Sequence, residues 1–142
     1  MTAARGEDKP WGQPPSAADF ERVGQAALAA LPEPFRSTVR DVVIVIQDFA
    51  EDEILDEMGI ESPFDLTGLY HGVPVGERES RPFGTQPDMI FLYRRPILDE
   101  WCEGGEDLEH LIRHVLIHEI GHHFGLSDEG MAAIEAAADE PD

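Results

Sequence analysis

Cysteine, basic residues and long apolar runs are scarce in this 142-residue sequence. The single cysteine, Cys102, excludes an internal disulfide. No basic segment followed by an apolar stretch reads as an export signal, so a cytoplasmic location is the expectation. The apolar runs extend over only a few residues, against about 20 needed to span a bilayer, and no membrane association is expected. Ten Lys+Arg stand against 30 Asp+Glu, a formal charge of −20, and Arg94-Arg95 is the only adjacent basic pair. A nucleic-acid partner needs a positive stripe that releases phosphate counterions, and this chain has none.

What is present suits one domain, since a chain near 150 residues buries roughly 70% of the surface it exposes when unfolded. Residues 1–15 hold Pro10, Pro14 and Pro15, mixed charge and one apolar anchor, Trp11; they read as a mobile tail ahead of a domain over 16–142. Ser16 and Asp19 form a capping-box pattern, and Phe20, Val23, Ala27, Leu28 and Leu31 follow at helical spacing, which predicts a helix over 17–31 stopped by Pro32 and Pro34. The β-branched run from Arg40 to Gln47 predicts a strand, expected to be central. The acidic stretch 48–64 reads as a solvated face with a short helix ending at Gly59, without the spacing of a calcium loop.

Leu66 to Val75, with its glycines and proline, suits an edge strand or irregular ribbon, and 76–87 reads as loop. Asp88 to Tyr93 predicts a second strand, closed by Arg94 to Pro96. Cys102 reads as a small buried residue. A long helix is predicted over 106–124, with Leu108, Leu111, Ile112, Val115, Leu116 and Phe124 on its apolar side and Gly125 ending it. Ser127 then caps a last helix over about 128–138. Strands followed by a dominant helix give the fold class α+β: a small mixed sheet packed against that helix, with helices at both ends.

Five of the six histidines, His110, His114, His118, His122 and His123, fall within fourteen residues of the long helix. At about 100° per residue, His118 and His122 lie one turn apart and about 40° offset, so both imidazoles reach one ion. Glu119 projects about 60° from His122, close to such an ion without being forced to ligate it, which suits a base acting on water. A tetrahedral catalytic zinc wants three protein ligands and an open position. Gly125 can turn the backbone sharply and bring Asp128 back under the ion, completing the pattern HExxHxxGxxD. His123, about 140° from His118, points off this face and reads as a residue supporting the site or the core. His110 and His114 continue the i, i+4 row but drift by about 40° at each step; His114 reads as a packing or supporting residue rather than a ligand.

With this motif the chain resembles the zincin metallopeptidases, and among them the metzincin-like group and its small bacterial, minimal members. The similarity runs over residues 16–137 and includes Leu-Thr-Gly-Leu-Tyr-His-Gly, Arg78, Pro-Asp-Met-Ile-Phe-Leu-Tyr-Arg and Ser127-Asp128-Glu129. It implies Zn2+ as cofactor, His118, His122 and Asp128 as ligands, Glu119 as general base, and a peptide or protein as substrate. It also implies that an extended substrate pairs with an edge strand, here 66–75 or 88–93. Metzincins set a methionine turn beneath the metal well after the third ligand, whereas the only downstream methionine is Met131, three residues past Asp128, read as an ordinary helix residue. An Asp ligand leaves less positive charge on the ion than a third histidine, so modest or selective activity is expected. Tyr70, His71, Arg78 and Tyr93 are the candidates for stabilising an oxyanion.

Two other classes fit parts of the pattern. One is a zinc-binding structural or interaction protein without turnover; the other is a metal-dependent ribonuclease, against which stand the negative charge and Glu119 directly after His118. The oligomeric state is left open, and a monomer is compatible with the pattern.

Overall fold

The computed structural model describes residues 12–72 and 87–139. Helix α1 (Ala17–Ala29) opens on the expected capping box: Ser16 Oγ accepts the Asp19 N–H at 3.1 Å, and the Asp19 carboxylate accepts the Ser16 N–H at 2.9 Å. These bonds to Ser16 hold the Asp19 carboxyl below its ordinary value. The helix buries Phe20, Gly24, Ala27 and Leu28 and stops at Ala29, ahead of Pro32. A short turn of helix, α2 (Phe35–Thr38), follows; Glu33 accepts from the Ser37 N–H and hydroxyl at 3.1 and 2.9 Å.

Among the described residues, three strands form one sheet in the order β1-β3-β2, with β1 Val43–Gln47, β2 Gly68–His71 and β3 Met89–Tyr93. β1 runs parallel to β3, pairing Ile44 with Ile90; β2 runs antiparallel to it, pairing Tyr70 with Ile90. The β-branched run expected to be central is therefore at an edge, and β3 takes the centre. Ile90 and Leu92 of β3 are fully buried, whereas Val43 of β1 stays 42% exposed. β2 is an edge strand as expected, and residues 73–86, including Arg78 and most of the expected loop, lie outside the described residues. The tail expected over 1–15 falls outside them for residues 1–11.

Between β1 and β2, α3 (Asp52–Met58) ends at Gly59 with φ +70°, as the sequence suggested. The Arg94–Pro96 segment does not simply close β3. It opens an eleven-residue helix, α4 (Arg94–Gly104), in whose first turn Pro96 is tolerated because the N–H groups there have no intrahelical partner. Cys102, expected to be buried, is exposed on this helix.

The long helix is α5 (Leu108–Phe124). It ends in a Schellman motif: the Leu126 N–H donates to the Gly121 carbonyl at 2.8 Å, the Gly125 N–H donates to the His122 carbonyl at 3.2 Å, and Gly125 sits at φ +74°. Ser127 Oγ accepts the Gly130 N–H at 3.1 Å and starts α6 (Asp128–Asp139). Met131 is buried against Gly121, and Glu135 reaches His118 and His114, so α6 runs back along α5.

α5 packs against α1, α4, α6, β2 and β3, which is why more of its circumference is buried than the single apolar side expected, Ile117, Ile120 and Gly121 included. The main core joins Phe20, Leu31, Ile44, Ile90, Leu92, Leu111, Ile112, Leu116 and Met131. A smaller cluster on the other face of the sheet joins Ala50, Leu55, Leu66 and Tyr93. α5 lies close on β2 because residue 68 is glycine: a Cβ there would stand 2.8 Å from Val115 Cγ1, 3.1 Å from the Phe91 carbonyl oxygen and 3.3 Å from Glu119 Cγ.

Candidate metal centre

Two sides of α5 carry the candidate chemistry. Toward the sheet, Glu119 is half-buried beside edge strand β2, and its carboxylate accepts the Tyr70 N–H. Burial raises its carboxyl to about 7, and the Tyr70 hydrogen bond opposes the shift only in part. A carboxyl that exchanges its proton near neutrality suits general acid–base work. Tyr93, fully buried on the central strand, is pushed up to about 12, first by burial and then by the charges of Glu119 and Glu51.

Toward α6 stand the histidines. The His118 and His122 rings are 6.1 Å apart between centroids and nearly perpendicular, and the His114 ring lies 4.0 Å from that of His118. Glu135 of α6 completes a tighter arrangement: its Oε1 is 2.9 Å from His114 Nδ1 and 3.6 Å from His118 Nε2. Among the described residues, His114, His118 and Glu135 form the group whose possible ligand atoms all lie within 4.8 Å of one another. His122 and Asp128 lie outside that group. Asp128 acts on His118 by charge, favouring its protonated form, but burial first and then His114 and His122 outweigh both carboxylates. The net effect lowers the His118 pKa and favours the neutral imidazole that binds metals.

The donors fit a zinc-type ion. Ligands at about 2.0–2.1 Å in a tetrahedron lie about 3.3 Å from each other, a spacing that the two Glu135 distances bracket, and imidazole with carboxylate is a usual donor set for zinc. His114, which the sequence spacing set aside as a packing or supporting residue, thus stands within ligand reach. Glu135 was not singled out at all. Its signal was its place seven residues after Asp128, nearly two turns on and so on the same side of α6.

The remaining candidates have defined surroundings. His123 stacks on Tyr70 with centroids 3.9 Å apart, away from the histidine row. His110 pairs with Glu106, in the turn just ahead of α5. The Tyr70 hydroxyl donates to buried Asp88 at 2.8 Å, which occupies it as a hydrogen-bond donor. His71 is exposed at the end of β2, beside a groove of about 220 Å³ lined also by Gln47, Glu51, Leu69, Phe91 and Tyr93.

A family model described as zincin-like metallopeptidase matches residues 39–138, from just before β1 to the end of α6. That span is most of the chain, which therefore belongs to the zincin-like metallopeptidase family, as the motif on α5 had implied. No curated protein matches it. Among the described residues, no helix is long and apolar enough to cross a membrane.

Proposed function

We propose that the chain is a zinc-dependent peptidase that hydrolyses peptide bonds with Glu119 as general base and His118, His122 and Asp128 as metal ligands. The observation that carries the reading is Glu119 itself: a desolvated carboxyl with a pKa raised to about 7, one position from His118 and tied to edge strand β2. Membership of the zincin-like family supports both the reaction class and the cofactor. A bound zinc ion would supply Lewis acidity toward the scissile carbonyl and the attacking water. Glu119 takes a proton from that water on its carboxylate and delivers it to the leaving amine nitrogen. The Tyr70 N–H fixes one carboxylate oxygen, which sets the direction of the other. An extended peptide laid along edge strand β2 would run its scissile bond past Glu119.

Zinc content and hydrolysis of a mixed peptide library, measured on the wild type beside Asp128→Ala and Glu119→Ala, test the proposal. The expected result is one zinc in the wild type and in Glu119→Ala, with cleavage lost in Glu119→Ala and in Asp128→Ala alike. Zinc bound without cleavage by any sample would favour a structural or interaction role, and no zinc at all would overturn the proposal.

A further inference from the structure

The histidine row meets two carboxylates on α6. Asp128 and Glu135 are seven residues apart, so they project from the same side of α6 about 10.5 Å from each other along its axis. Along α5 the row runs the other way, with His122, His118 and His114 about 6 Å apart per step. His118 therefore lies between a His122–Asp128 end and a His114–Glu135 end. At the second end one carboxylate oxygen faces two imidazole nitrogens from successive turns, at 2.9 and 3.6 Å. An ordinary ion pair between the helices would need only one of them. The side chains of His114, His118 and Glu135 are 41%, 32% and 17% exposed, which leaves the point of convergence open to an ion from solvent.

We propose that His114, His118 and Glu135 form a second position for a divalent ion of the zinc and cobalt class, alternative to the His118–His122–Asp128 set. The exclusivity rests on the ligand set proposed above, because His118 belongs to both. His118 Nε2 faces Glu135, and one neutral imidazole nitrogen holds one ion at a time. An ion at the His114–Glu135 end withdraws His118 from the other end and displaces the ion from the neighbourhood of the peptide-cleaving machinery. The second position thereby acts as a parking site for the metal.

The test titrates Co2+ into the metal-free full chain and reads visible absorption together with equilibrium dialysis. The wild type is expected to bind one equivalent in total, and two equivalents would overturn the sharing of His118. The His122→Ala/Asp128→Ala chain is expected to bind one equivalent still, and to lose it when His114→Ala and Glu135→Gln are added. If it binds none while His114→Ala/Glu135→Gln binds one, the second position is overturned and the His118–His122–Asp128 reading stands. The converse pattern upholds the second position and overturns that ligand set. If neither double variant binds, the ion needs both ends, and a separate position is overturned. His122 and Asp128 are exposed, so their replacement should leave helical circular dichroism intact. Should the double variant lose it, His122→Ala alone is read by the ring-nitrogen shifts of His114 on adding Zn2+; a shift supports the second position and its absence overturns it.

Discussion

Toward β2, α5 holds Glu119 in a fixed place: glycine at position 68 lets the helix lie close on the strand, the Tyr70 N–H occupies the carboxylate, and burial raises its pKa to about 7. Toward α6, the same helix presents His114, His118 and His122 partly in water, facing carboxylates on a helix that is joined to it by one glycine turn. A proton-transfer group depends on desolvation and precise aim, which packing supplies. Metal ligands need convergence, and an ion supplies much of that on binding. The two sides of α5 thus divide the work by their degree of burial.

Substitutions that separate the two sides sharpen this contrast. The largest effect is expected from Glu119→Gln: peptide turnover should fall by about 10²–10⁴-fold while zinc content stays at the wild-type level. His118→Ala should instead lose both metal and turnover, and equal zinc loss in the two variants would erase the distinction.

Next come the two glycines where α5 meets its neighbours. Gly68→Ala drives a Cβ toward Val115 and the backbone oxygen of Phe91, and should cost about 1–3 kcal/mol in urea unfolding. Gly121→Ala meets the Cγ and Sδ of Met131 instead. An unbranched thioether can repack, and alanine gains about 1 kcal/mol of helix propensity over glycine, so this variant should be the milder. A larger loss at Gly121 would show that the α6 side is the rigid one.

The pH dependence of the metal-free chain isolates Glu119. Its carboxyl is raised to about 7 in the fold against an ordinary value of 4.5, so the contribution is fully present below 4.5 and lost as pH rises through about 7. Relative to Glu119→Gln, the metal-free wild type should lose stability across that window, the lowered His118 acting with the opposite sign in both chains; identical slopes would contradict a desolvated Glu119. The smallest effect lies far from the site. Ser16→Ala removes the α1 cap and should cost about 1 kcal/mol without altering zinc binding.

Where the deciding forces are local, the sequence is a good guide. The Ser16 cap, the Gly59 and Gly125 helix ends and the course of α5 follow from residues within one or two turns of each other. Contacts between elements decided the rest. Pro96 looks like a terminator until it is seen to occupy the first turn of α4, and the strongly β-branched β1 lies at an edge because β3 pairs on both sides. The motif drew attention to His118, His122, Asp128 and Glu119, whereas the approach of Glu135 to His114 depends on how α6 folds back over α5. Met131, read as an ordinary helix residue, occupies the space that glycine leaves at position 121 between those helices.

The most direct test of the account is anomalous diffraction at the zinc edge from crystals of the zinc-loaded chain. It should place the ion on α5 with His118 and an α6 carboxylate among its ligands, and with Glu119 nearby but not coordinated. An ion ligated by Glu119, or no ion on α5, would contradict the assignment of Glu119 as base and of the histidine row as ligands.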